Sequence, residues 1–248
     1  MNPVVLPRYA FVKAWEWGGY GKPHPVIGAD DLWLDDTVKT VLRREVDGLL
    51  EKAGVAANGV LMPEFRRTLA VLARAERECY GWISRHGETG AAMVAAVGEE
   101  TVRVVRDAKV VIVDHVPIGD PPDALVDVLP DVIGAAVGEV TIPAAQYSGR
   151  RSPVADEYEF EMETRSRRPD PAVRVHELLS APRSGTHQLY SAGRDRTGQR
   201  RRGRPITVID LLETGRVLTY VTQSPNSEPM LHCAAGTRRA LTSLLATA

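Results

Sequence analysis

Residues able to do chemistry are scattered along this chain rather than grouped. The six histidines, His24, His86, His115, His176, His187 and His232, stand at no spacing that lets two of them, or one with a cysteine, share a tetrahedral metal. His232 precedes Cys233 directly, so in a strand the two side chains point to opposite faces. No nucleophile elbow, phosphate-binding glycine loop or dinucleotide fingerprint occurs, and acyl-transfer and nucleotide chemistry therefore lack their usual anchors. Glu157, Glu159, Glu161 and Glu163 alternate with Tyr158, Phe160 and Met162. Carboxylates work as an acid and base pair when they converge in a partly dry cleft; a period of two sets them in a row on one solvated face. Arg165, Arg167 and Arg168 follow, and strand, exposed helix and linker all remain open for this stretch.

The sharpest charge feature is the run Arg200, Arg201, Arg202 and Arg204, preceded by Arg194 and Arg196. Nucleic-acid binding is the reflex reading of such a run. Here it reads as a hairpin loop without interleaved aromatics, in a chain whose 31 basic groups nearly cancel 32 acidic ones for a net charge of -1. A basic loop meeting acidic groups on a protein partner, or a merely solvated loop, fits better than nucleic acid.

At 248 residues with 44% hydrophobic and 25% charged side chains, the chain can bury its own core. Its start lacks the basic and apolar segments of a signal peptide, and no apolar run reaches the ~18 residues of a membrane span. A soluble, cytoplasmic protein without membrane insertion is expected. Cys79 and Cys233 lie far apart in apolar runs, where reduced thiols act as small hydrophobes.

These residues must be positioned by recognisable elements. Helices are expected over residues 8–18, 37–53 (with Asp35 and Asp36 as N-caps) and 63–76, and an extended segment around Leu32, Trp33 and Leu34. Strands are expected over 78–84, 91–97, 101–106 and 109–114, joined by short turns that suit hairpins. Pro121 and Pro122 open a further helix carrying Leu125, Val128 and Leu129. Residues 140–142 suit a strand. A helix over 170–179, strands over 186–192, 205–212, 216–222 and 229–233, and a closing helix capped by Thr237 then repeat the earlier order. Residues 63–130 and 170–248 thus form two helix, meander, helix halves, with residues 1–62 packing on the sheet or its bundle. The expected fold is α+β: one quasi-two-fold-symmetric domain with a central antiparallel sheet and helical bundles.

The C-terminal block closely resembles the end of the EspG family, specificity chaperones of ESX, or type VII, secretion in actinobacteria. The marks are the strand ending at Gly193, the Arg-Asp-Arg-Thr-Gly and poly-arginine hairpin, the strand over 206–210, the Gly215-Arg216 turn, the strand into Met230, and the final amphipathic helix. Residues 70–82 look like the family's helix-to-strand junction. The resemblance implies a fold of quasi-two-fold symmetry and a protein that binds the tip of a PE/PPE heterodimer, keeps it soluble and delivers it to the secretion machinery, with no cofactor and no reaction. It further implies contacts from the loop between the first two strands of the N-terminal half, from the sheet and from the C-terminal helical bundle. That loop is residues 85–89, shorter than in mycobacterial members. Partner contacts are accordingly expected at His86 and Glu88, at Arg200, Arg201 and Arg202 in the equivalent second-half loop, and at exposed strand positions Thr219 and Tyr220. Two other classes stand beside this one: a diverged small-ligand-binding protein or enzyme, and a structural homo-oligomer joined through sheet edges, with homodimerisation of the free chain left open.

Overall fold

The computed structural model describes residues 3–28, 36–117, 120–148, 170–225 and 227–247. The triplet Leu32, Trp33 and Leu34, the N-cap at Asp35 and the alternating glutamates lie outside the described residues. Strand β1 (Val4–Pro7) leads into helix α1 (Arg8–Trp17), followed by α2 (Asp36–Lys52), a small hairpin of β2 (Ala56–Ala57) and β3 (Val60–Leu61), and α3 (Pro63–Ala73). Pro63 begins α3 at a position where its missing N–H costs nothing. Next come β4 (Arg77–Arg85), β5 (Glu88–Val97), β6 (Glu100–Arg106), β7 (Val110–His115) and the short helix α4 (Pro121–Val126). Strand β8 (Val140–Pro143) and helix α5 (Ala144–Ser148) precede α6 (Pro171–Ser180). The chain ends with β9 (Arg183–Arg194), β10 (Arg200–Arg202), β11 (Ile206–Leu211), β12 (Gly215–Thr222), β13 (Met230–Ala235) and α7 (Arg238–Ala246).

Eleven strands form one antiparallel sheet in the order β1-β7-β6-β5-β4-β9-β11-β12-β13-β8, with β10 also paired to β9. Each half contributes the expected four-strand meander, and the first strands of the two meanders, β4 and β9, pair along their full shared length from Arg77↔Gly193 to Arg85↔Gly185. Two strands extend the meanders: β8, expected over 140–142, and β1, which was not expected. β1 adds to β7 and β8 to β13, so each edge of the sheet is a strand of only four residues, too short to template much unwanted pairing. Helix α4 stops at Val126, so Val128 and Leu129, expected within it, follow in a turn.

Strand register assigns every side chain to one of two faces. On the front face, Met93, Ala95, Val102, Val104, Val111 and Val113 pack beneath α1, α2 and α3, whose Phe11, Trp15, Leu50, Phe65 and Leu69 are almost wholly buried. Further along the same face, Ile209, Val217 and Leu231 pack under α6 through Val175 and Leu179. On the back face, α4 and α7 lie side by side, and Leu125, Leu241 and Leu245 meet Val94, Leu189, Val208 and Leu218. The Thr237 hydroxyl accepts from the Ala240 N–H at 3.2 Å and starts α7 as expected.

The C-terminal half buries a polar cluster as well. Arg216 grips the Asp210 carboxylate with Nε at 2.6 Å and a second nitrogen at 3.0 Å, and donates to the Pro130 carbonyl at 2.7 Å. His187 Nε2 meets the same carboxylate at 3.0 Å. A Cβ at Gly236 would stand 2.3 Å from the Arg216 side chain, so only glycine leaves that guanidinium its place. Burial raises the Asp210 carboxyl, but hydrogen bonds from His187 and Arg216 outweigh it and hold the group down at about 2.

Candidate interaction surface

Among the described residues, the helices over the front face leave its middle strip uncovered. This strip is the start of each meander, where β4 and β9 pair and where front-facing positions carry Tyr80, Trp82 and Ser84 opposite Tyr190, Gln188 and Thr186. Tyr80 is buried and begins an aromatic cluster: its ring stacks on Tyr190 at 5.3 Å, and Trp82 stands edge-on to both at 6.0 and 5.8 Å. Trp82 and Tyr190 keep part of their surface in solvent, and Gln188 is exposed. The Tyr190 hydroxyl donates to Gln188 Oε1 at 2.9 Å, which fixes the amide beside the rings. Two aromatic rings with polar edges, on rigid paired strands, suit contact with another protein. They offer large apolar area at low entropic cost.

At one end of the strip the chain turns through His86 and Gly87, with φ of 50° and 83°. Such a two-residue turn matches the twist of the flanking strands and demands the left-handed conformation that glycine adopts freely. At the other end, Arg200 and Arg202 reach over the front face, Arg200 across the Tyr80 ring at 5.6 Å and Arg202 across Tyr190 at 5.0 Å. Arg200 also binds the buried carboxylate of Glu78. His24 stands 3.8 Å from that carboxylate, a separation that suggests an ion pair. Burial and then the Arg200 charge push the imidazole down to about 4, so His24 is neutral near pH 7 and, among the described residues, Arg200 balances Glu78.

The sequence-derived partner residues do not form one site. Arg200, Arg201 and Arg202 belong to strand β10 rather than to a loop; the loop is residues 195–199, which Asp195 closes by accepting from Thr197 and Gln199. β4 separates this end of the sheet from His86 by nine residues, ~30 Å at ~3.3 Å per residue. Glu88 lies on the back face, where it and His86 line an open groove of about 440 Å³ with Ile83, Val105 and Val128. Arg201 and Tyr220 also face the back. Tyr220 stacks on His232 at 4.6 Å, within reach of Glu139. Thr219, expected to be exposed, is buried between Thr207 and Cys233 of the neighbouring strands, because both faces of β12 are covered there. Trp82, Gln188 and Tyr190 went unrecognised in the sequence; their common placement depends on the pairing of two strands more than a hundred residues apart, which no local pattern reveals.

Other chemistry finds little support in the geometry. Among the described residues, no three of His, Cys, Asp and Glu converge as a metal set. Both cysteines are free and buried, and burial followed by the carboxylates of Asp120 and Glu78 pushes the Cys79 thiol up to about 12, far from a reactive thiolate. No helix among the described residues is long and apolar enough to cross a membrane.

Comparison with known proteins agrees with this architecture. The solved structure of the Mycobacterium tuberculosis type VII secretion system chaperone EspG5 in complex with a PE25-PPE41 dimer superposes with a TM-score of 0.67 at 16% identity, covering 99% of this chain and 95% of that one. No curated protein matches the chain. The family model for EspG matches residues 9–247, nearly the whole sequence, and the chain belongs to the EspG family.

Proposed function

We propose that this protein is a type VII secretion chaperone that holds a PE/PPE-like heterodimer by the uncovered front strip, keeps it soluble and delivers it to the secretion machinery from the cytoplasm. The observation that carries the reading is the solvent-facing Trp82, Gln188 and Tyr190 on the β4 and β9 pair, flanked by helices on both sides, in a chain of the EspG family. An exposed apolar helical tip self-associates in water, and a rigid strip of aromatic and amide groups covers it reversibly. The role is binding rather than catalysis. Arg202 at one end and the His86 turn at the other extend the contact. Arg200 contributes mainly by holding Glu78 and Tyr80, and the client does not reach Thr219.

We infer also that the domain is a duplicated one with quasi-two-fold symmetry. The register pairs Gly81 with Leu189, 108 residues on, and the same offset relates Glu78 to Thr186 at corresponding points of the two halves. An axis through that pair, normal to the sheet, would exchange the meanders and keep α4 and α7 on one face.

Co-expression with neighbouring PE/PPE-like pairs tests the function. A stable 1:1:1 complex on size exclusion is expected, and Trp82→Ala should weaken it by about 2 kcal/mol or more, roughly thirtyfold in Kd by titration calorimetry. A complex that tolerates both Trp82→Ala and Tyr190→Ala removes the strip from the interface.

A further inference from the structure

The outer side of β10 carries an open ladder. Asp195 donates its N–H to the Gln199 carbonyl at 3.0 Å, and Gly203 donates to the Ser191 carbonyl at 2.8 Å. Arg201 stands opposite Gly193 between these two bonds. Residues 199, 201 and 203 therefore direct their backbone groups toward β9, and the N–H and C=O of Arg200 and Arg202 point away from it. Along that side β12 pairs with the chain only as far as Ile206↔Tyr220. Among the described residues no backbone group bonds the outward groups of Arg200 and Arg202.

A groove of about 750 Å³ runs beside this edge, lined by Arg201, Arg204, Ile206, Tyr220, Thr222 and Leu244. Its charge is one-sided. Three arginines line it, Arg201, Arg202 and Arg204, with no carboxylate among the lining residues; Arg201 pairs with Asp195, while among the described residues Arg202 and Arg204 meet no carboxylate.

We propose that the outer edge of β10 is a second docking site, taking a short extended segment of an acidic partner polypeptide as an added strand. The edge offers alternating donors and acceptors, which a peptide backbone matches in kind and spacing, whereas a DNA backbone supplies acceptors only. The unbalanced arginines call for carboxylates on alternate residues, and Ile206 and Leu244 provide an apolar floor for a residue between them. Thr222 closes the lane at one end, so three or so residues pair. The site rests on the outward backbone of β10 and on the groove beside it, whereas the front strip is centred on side chains of β4 and β9 one strand away and meets β10 only through the Arg202 side chain.

Fluorescence anisotropy on the full chain tests this, with an end-blocked, fluorescein-labelled octapeptide that alternates glutamate with valine. Saturable binding is expected, weakened roughly tenfold or more by the pair Arg201→Glu and Arg204→Glu, and comparably by Arg202→Pro, which deletes one outward N–H. Because Arg202→Pro can disturb folding, the wild-type chain is also titrated with the same peptide N-methylated at alternate residues, which keeps the charge and removes the pairing groups; its binding should be lost. Equal binding of the methylated peptide overturns strand addition. Tighter binding of an oligothymidylate of matching charge overturns the peptide as occupant, and no binding of the parent peptide at concentrations on the order of millimolar overturns the site. Trp82→Ala should leave the affinity unchanged, so a failed client complex and a failed edge are told apart; loss of peptide binding in that variant overturns the claim of a separate site.

Discussion

The two halves of the sheet share a strand order and hold themselves together differently. In the N-terminal half, front-facing alanine, valine and methionine of β5, β6 and β7 vanish beneath three helices, and the largest buried groups are the apolar Phe11, Trp15 and Phe65. In the C-terminal half, His187, Asp210 and Arg216 are buried together on the back face. Apolar burial is non-directional, so the first arrangement fixes which face is covered without fixing what runs over it. The second is directional. Arg216 ties β12 to β11 through Asp210 and to residue 130 through its side chain, while its own backbone bonds Ile133, Ala135 and Gly236. One residue thereby fixes the path of the 130–135 segment across the end of the sheet. The first half sorts residues by burial, and the second specifies a path.

Breaking the directional cluster should give the largest effect. Asp210→Ala strands the Arg216 charge in the core and is expected to cost about 3–5 kcal/mol, read as a lower urea midpoint, against less than about 1 kcal/mol for removing an exposed partner such as Asp123. A value near that of the exposed site would mean that the cluster relaxes into water.

Acid should reach the two halves in different windows. His24 is held at about 4, below its ordinary value of 6.5, so the unfolded chain binds the extra proton. Its contribution is complete above about 6.5 and lost as pH falls toward 4, for about 3 kcal/mol. Asp210 is held at about 2, so its contribution is complete above about 4 and lost between about 4 and 2, for about 2–3 kcal/mol. Urea titrations from about pH 7 to about pH 2 check the order: His24→Gln should flatten the upper window and leave the lower one in place. Loss of both windows in that variant would join the halves in a single acid response.

The smallest contrast lies in α4 and α7, which lie side by side on the back face. Thr237 caps α7 through its hydroxyl, whereas Asp120 at the start of α4 makes no side-chain cap. Thr237→Ala should cost about 1 kcal/mol and Asp120→Ala a few tenths, measured by thermal melts.

Sequence periodicity was enough to place both meanders, because their strands alternate clearly and their turns are short. β1 escaped, since four residues ending in proline mean little until β7, about a hundred residues later, gives them a partner. β10 escaped for a different reason: three arginines carry weak strand preference, and pairing with β9 rather than composition makes them a strand. Thr219 reads as an exposed strand position in the sequence, yet the unbroken burial from Arg216 to Thr219 is that of a stretch covered on both faces. For the candidate surface, the arginines and the His86 turn were legible as chemistry but not as positions. Their separation to opposite ends follows from the antiparallel pairing of β4 with β9, and the same pairing assembled Trp82, Gln188 and Tyr190 unseen.

Each half also carries its own silent witness. Cys79 lies under α4 in the first meander and Cys233 under α6 in the second, 3% and 1% exposed. A thiol pushed up to about 12 by burial reacts only when its surroundings part. The rate at which an alkylating reagent consumes one cysteine and then the other therefore times the opening of the two meanders separately, with no label added to the native chain.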